Sequence, residues 1–190
     1  MSAYESFVSV VRQWLLSLPQ DAKALLRIVD DADVDDESRV LAAGALLHLL
    51  SSHNAIPGMR GILALVDDAL VLRLVLERAE SRSPDAMARH REQSPELFDP
   101  LAEQMRIARA YLGDLMSVLD RAVDALPRMQ HQGHDARRCV HDTESSTWLY
   151  DAVQEAIVER LELREDDVAR ESKGVDRILP QLRSRLVARS

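Results

Sequence analysis

The chain has 190 residues, with 24 Lys and Arg against 32 Asp and Glu, so its net charge of −8 excludes a phosphate backbone as the first partner to expect. Hydrophobic residues make up 46%, and only 6 Gly and 7 Pro interrupt them, which excludes disorder and points to an all-α fold. A lone Cys139 excludes an intrachain disulfide, and no basic segment leads into an apolar run and cleavage site, so the expected location is cytoplasmic.

In residues 4–18, Phe7, Val8, Val11, Trp14, Leu15 and Leu18 recur at three- and four-residue spacing, which predicts an amphipathic helix closed by Pro19. A short second helix is expected over 20–29. Six carboxylates then fall within eight residues: Asp30, Asp31, Asp33, Asp35, Asp36 and Glu37. Standing before an apolar run, they suit an N-cap and a first turn that oppose the helix dipole. An EF-hand is excluded, because counting from Asp31 the sixth and twelfth positions hold Asp36 and Ala42 instead of Gly and Glu.

Residues 40–59 contain no Lys, Arg, Asp or Glu, but Ser51, Ser52, His53, Asn54, Pro57 and Gly58 leave an apolar part of only three helical turns. That is too short to span a bilayer. Residues 56–79 are apolar on nearly every side, as a central helix is. The two runs predict a buried helical hairpin over 40–79.

Residues 80–94 are polar and hold Pro84, with Ser94-Pro95 and Asp99-Pro100 close behind. They mark an internal boundary between a part spanning 1–94 and a part spanning 95–190, the two packed as one unit. Leu101, Met105, Ala108, Leu112, Leu115, Leu119, Ala122 and Leu126 then alternate by four and three, predicting one long helix over 100–126. Such a seam packs either within the chain or against a second copy, so a homodimer is one expectation. Residues 129–144 read as a loop or broken helix, and an amphipathic helix resumes at 146. The last helix, from about 175, sets Ile178, Leu179, Leu182 and Leu186 against Arg177, Arg183, Arg185 and Arg189. Docking on the acidic body is the plainer expectation for it, and contact with a membrane surface the other.

Two places carry candidate chemistry. Asp67-Asp68 lies inside the most apolar stretch, where an unpartnered carboxylate costs several kcal/mol. Adjacent helical residues point about 100° apart, so one acid is expected to face solvent or cap a neighbour while the other pairs internally. Arg60 and Arg73 are the nearest cations. The second place gathers His131, His134, Cys139 and His141 within eleven residues, donors that suit zinc. Four ligands would make a closed structural site. Three would leave room for an activated water, with Asp135, Asp142 or Glu144 as base. The spacing matches no standard zinc module, and Cys139 and His141, two apart, suit an extended segment. No Gly-x-Gly-x-x-Gly, Gly-Lys-Ser/Thr, His-Glu-x-x-His or Gly-x-Ser-x-Gly motif occurs. His48 and His53 read as hairpin residues, and Trp14 and Trp148 as core.

Residues 39–76 resemble the small YkvA-like domain, a helical family of unknown function. Its hallmark is a Pro-Ile-Asp-Leu-Ile-Pro-Asp turn followed within a helix by Gly-x-x-Asp-Asp. Ile56-Pro57 stands where that turn has its Ile-Pro, and Asp67-Asp68 follows the Ile by the same eleven and twelve positions. Ser52, Asn54, Gly58 and Ala64 replace the first Pro, the two Asp and the helix Gly. The resemblance implies a hairpin in which acids of the turn and the next helix approach each other. It brings no established reaction. Having lost two carboxylates, Asn54, Asp67 and Asp68 would make a weak cation site, which favours a structural hairpin.

The sequence thus predicts an all-α bundle of six to eight helices with a buried hairpin and one long helix. A non-enzymatic module that binds a protein partner is the leading expectation, and a metal-binding protein or metal-dependent enzyme built on 131–141 is the alternative.

Overall fold

The computed structural model describes residues 2–51 and 53–187. Ser52 and Arg189, named above, lie outside the described residues. The architecture is an all-α bundle, with one small β-hairpin among the described residues.

Helix α1 (Ala3–Asp30) opens with a capping box in which the Ser2 hydroxyl accepts from the Glu5 N–H and the Glu5 carboxylate accepts from the Ser2 N–H. It is one helix where two were expected, because Pro19 lies inside it. An interior proline costs about 3 kcal/mol. Both halves nonetheless bury on the same core, Phe7, Val11, Trp14 and Leu18 before the proline and Ala22, Leu25, Ile28 and Val29 after it. Continuing as one helix keeps all of them there.

The expected hairpin is present. Helices α2 (Asp36–Leu50) and α3 (Leu65–Arg82) pack on each other and on α1. Residues 40–49 of the first and 66–76 of the second are all buried. Helix α3 starts later than expected, after a short 3-10 turn (Gly61–Ala64), which puts Asp67 and Asp68 in its first turn. There the helix dipole favours negative charge.

The expected N-cap role of the acidic stretch falls to Asp35. Its carboxylate accepts from the Ser38 N–H at 3.0 Å and from the Ser83 hydroxyl at 2.7 Å, and Arg82 lies 3.3 Å away. Burial alone would raise its pKa, but these hydrogen bonds and the arginine outweigh it and hold the carboxyl below its ordinary value. A depressed carboxyl adds stability above its unfolded pKa and loses it as pH falls through the folded one. Asp35→Ala is therefore expected to cost about 1–2 kcal/mol at neutral pH. In denaturant melts that deficit should shrink below about pH 4.

The polar stretch after α3 forms α4 (Pro84–Gln93) and α5 (Pro95–Phe98), and the buried Ala86, Met87, Leu97 and Phe98 join the same core cluster as the hairpin. The helix expected over 100–126 is broken into α6 (Leu101–Leu112) and α7 (Met116–Ala125). Gly113 takes a φ of +55°, which L side chains rarely adopt, and a 3-10 turn follows. The bend lets both halves face inward: Leu101, Met105, Ala108, Leu112, Leu115, Leu119 and Leu126 are all buried within the chain. The remaining seam residue, Ala122, is half-buried.

Residues 129–144 are ordered. Strands β1 (Gln130–His131) and β2 (His134–Asp135) pair antiparallel around Gln132 and Gly133, both at positive φ as a two-residue hairpin turn requires. Helix α8 (Ala136–His141) follows, so Cys139 and His141 lie on a helix and not on an extended segment. Helix α9 (Thr143–Ala156), capped by Asp142, runs into a π-helical turn (Ile157–Leu161). Helix α10 (Glu165–Glu171), a 3-10 turn (Ser172–Arg177) and α11 (Ile178–Val187) complete the described chain. Helix α11 buries Ile178 and Leu182 and docks against α7. No helix among the described residues is long and apolar enough to cross a membrane.

Candidate functional site

The two acids of α3 do not divide between solvent and core. Both are buried, Asp67 fully and Asp68 at 5% exposure, and they meet His48 from the last turn of α2. His48 Nε2 lies 3.0 Å from Asp67 Oδ2 and 3.7 Å from Asp68 Oδ1. One ligand atom from each of the three residues falls within 4.8 Å of the others, a spacing that can hold a metal ion. The hairpin explains the meeting. Helix α2 ends just as α3 begins its first turn beside it, so residues 19 and 20 positions apart become neighbours.

The cluster is short of positive charge. Asp67 Oδ2 accepts from His48 and, at 2.7 Å, from the backbone N–H of Ala55, yet Asp67 Oδ1 is buried with no hydrogen-bond partner among the described residues. Burial and the neighbouring charge of Asp67 push the Asp68 carboxyl well above its ordinary pKa, with Arg160 pulling the other way. Two buried carboxyl groups thus share one imidazole, and the upward shift favours the neutral form of Asp68. A buried carboxyl is stable in a protein interior when it is neutral, paired or coordinating a metal.

Neither arginine expected beside the acids serves them. Arg73 is buried against Asp21 of α1, and Arg60 is exposed in the connection before the 3-10 turn. Asn54 is half-buried one residue before Ala55, whose backbone supplies the bond to Asp67. The third member of the set is His48, which the sequence pattern concealed. The available signal was a polar residue in the otherwise apolar stretch of α2.

The four donors of residues 131–141 divide: His131 and His134 pair across the hairpin and both meet Trp148, while Cys139 and His141 turn to other surroundings. His134 stacks on Trp148 with ring centroids 4.1 Å apart and bonds the Ser145 hydroxyl through Nδ1 at 3.0 Å. His141 Nε2 lies 2.8 Å from Asp36. Cys139 is fully buried in the core, where burial and then the charge of Asp135 push its thiol pKa up to about 11, so it stays protonated and is a poor ligand. His131 lines a groove of about 320 Å³ with Leu50, Trp148, Glu155, Glu159 and Arg160. Trp148 is therefore only partly a core residue.

Comparison of the chain with family models, with curated proteins and with solved structures finds no match.

Proposed function

We propose that this chain is a cation-binding helical protein whose hairpin holds one divalent transition metal, zinc first, between His48, Asp67 and Asp68. The observation that supports this is the convergence of three buried ligand atoms within 4.8 Å of one another, in a cluster where Asp67 Oδ1 has no hydrogen-bond partner among the described residues. A nitrogen donor beside two carboxylates suits zinc or manganese better than calcium or magnesium, which prefer all-oxygen shells. Three protein ligands leave a fourth position for water or a bound group, the arrangement of metal sites that do chemistry. The resemblance to the YkvA-like domain fits this reading at the elements the chain retains. Ile56 is buried in the turn, and the Asp-Asp pair lies in the cluster. His48 supplies a ligand where the turn has lost its acids. A cytoplasmic location belongs to the same proposal, supported by a lone cysteine held as a buried thiol.

Calorimetric titration of tag-free, chelator-treated protein with zinc and manganese tests this. About one cation per chain is expected, with a rise in Tm, since a ligand at 100 times its Kd stabilises the fold by about 2.7 kcal/mol. Asp68→Asn is the informative variant, because it keeps shape and removes charge. It is expected to melt at the parent temperature or above without metal and to lose the metal-induced rise. His48→Ala should weaken binding by more than the roughly 10–100-fold that an outer partner of a metal ligand is worth. His141→Ala should bind as the parent does. A parent that takes up neither metal ends the proposal.

Binding of a protein partner is the second reading, and it rests on exposed apolar side chains of one helical segment, Tyr150 at 51% and Val158 at 75%. Double replacement of these two by Ser, with unchanged metal uptake and unchanged Tm, would separate such a surface from the buried cluster.

A further inference from the structure

One surface cavity runs against the charge of the rest of the chain. Arg60, Arg170, Lys173 and Arg177 line a single space of about 460 Å³, in a protein whose net charge is −8. The fold brings them from distant parts of the sequence. Arg60 stands before the 3-10 turn Gly61–Ala64, and the others belong to α10 and to the 3-10 turn Ser172–Arg177, which both pack on that first turn. Several surface arginines elsewhere meet acids, as Arg78 does Asp124, Arg89 does Asp33 and Arg109 does Glu77. Here the pairing is incomplete. Arg170 bonds Asp167 at 2.8 Å and lies 3.8 Å from Glu171, the one acid that lines the cavity. Arg60, Lys173 and Arg177 are exposed, and their side chains make no hydrogen bond or ion pair among the described residues. Set against Asp167 and Glu171, the four cations leave an excess of about two positive charges, and a cleft lined by one sign of charge concentrates the opposite ion.

Gly174 keeps that cleft open. Its φ is not in the left-handed region, so the turn does not need a glycine there. A Cβ at this position would touch Leu63 Cδ1 at 3.4 Å and the guanidinium carbon of Arg177 at 3.7 Å. The missing side chain therefore leaves room between an apolar wall and a free cation.

We infer that this cavity binds a phosphate group, the dianion of a phosphomonoester, whose oxygens are held by Arg60, Lys173 and Arg177 while Arg170 stays on Asp167. The charge selects the class. A phosphomonoester carries about −1.5 to −2 charges at neutral pH and three strong acceptor oxygens, which matches the local excess and the three unpaired cations. A single carboxylate brings one charge and leaves part of that excess unmet. Arginine and lysine are the side chains that recognise phosphate, the first through its planar fork and the second as a point charge. The space lies within the roughly 300–1,000 Å³ of small-molecule sites, so it admits the body of a small ester as well as its phosphate. The cavity shares no residue with the His48–Asp67–Asp68 cluster, and neither proposal depends on the other.

The test titrates tag-free, chelator-treated protein with inorganic phosphate and with ribose 5-phosphate at constant ionic strength, so that no metal in the buried cluster can hold the anion. In parallel the protein is co-sedimented with phosphatidylcholine vesicles with and without phosphatidic acid, whose headgroup is also a phosphomonoester. Saturable binding of about one phosphate group per chain is expected. Binding of the soluble anions assigns a small-molecule ligand, and binding of the phosphatidic acid vesicles alone assigns a lipid headgroup; either supports the site. Arg177→Gln and Lys173→Gln should each weaken binding about tenfold, the worth of one hydrogen bond to a charged group. Gly174→Leu, which changes no charge, should weaken it by filling the space. Arg183→Gln removes an exposed arginine outside the cavity and should bind as the parent does. A Tm for each variant shows that it is folded. Saturable binding of none of these probes overturns the site. So does a loss in Arg183→Gln as large as in Arg177→Gln, which would mean diffuse attraction to surface charge.

Discussion

Replacing Arg73 by Met while Asp21 stays in place is expected to lower the unfolding free energy by about 3–5 kcal/mol, the cost of leaving a buried charge without its partner. The pair is deep in the bundle. Arg73 is 2% exposed and Asp21 fully buried, with Nη2 2.8 Å from Asp21 Oδ2. Further bonds run to the Ser17 hydroxyl at 3.0 Å and the Ala69 carbonyl at 3.2 Å, and the guanidinium lies 4.9 Å from the centre of the Trp14 ring. Trp14 in turn donates to Gln104 at 2.7 Å, so the network ties α1, α3 and α6 together. It is incompletely satisfied, since Asp21 Oδ1 and Arg73 Nε have no partners among the described residues. Burial accordingly pushes the Asp21 carboxyl up against the pull of Arg73, and pushes the arginine down.

The sign of the pH effect follows. An acid whose folded pKa is raised binds more protons when folded, so stability falls as pH rises from about 4 through the folded value. Without Arg73 that value climbs further, and the deficit of Arg73→Met should widen between about pH 4 and neutrality in urea melts. The double variant Arg73→Met/Asp21→Leu should recover most of the loss, because two apolar residues of similar volume need no partners. A single-variant cost under about 1 kcal/mol would show the pair to be solvated.

Gly44→Ala is expected to destabilise by about 3 kcal/mol, although helix propensity alone favours alanine by about 1 kcal/mol. Gly44 lies in the middle of α2, where an added Cβ would stand 2.4 Å from the Leu126 carbonyl oxygen and 2.8 Å from its carbon. Those atoms are backbone of the 3-10 turn that follows α7 (Leu126–Arg128), so no side-chain rotation can make room. Either the turn shifts or α2 does, and α2 carries His48. Thermal melts read the cost, and a variant as stable as the parent would mean that the turn is free to move away. Metal titration of the same variant reports whether the shift reaches the cluster.

By itself the sequence determined the helical class, the buried hairpin and an acidic helix start within residues 30–37. Each depends on local periodicity or on residues within one turn of each other, which the chain order carries. It also flagged Asp67 and Asp68 as costly in an apolar setting. Only the tertiary structure decided the rest. Pro19 is carried inside one helix because both flanks bury on the same core, and the seam over 100–126 breaks at Gly113, whose positive φ leaves the apolar residues on both sides buried. Of the donors adjacent in sequence, His131 and His134 pair across the hairpin and share Trp148, while Cys139 is buried in the core and His141 meets Asp36. The donors that do converge lie 19 and 20 residues apart. Their meeting depends on how closely two helices approach and where the second one starts, distances set by packing, of which a linear pattern holds no record.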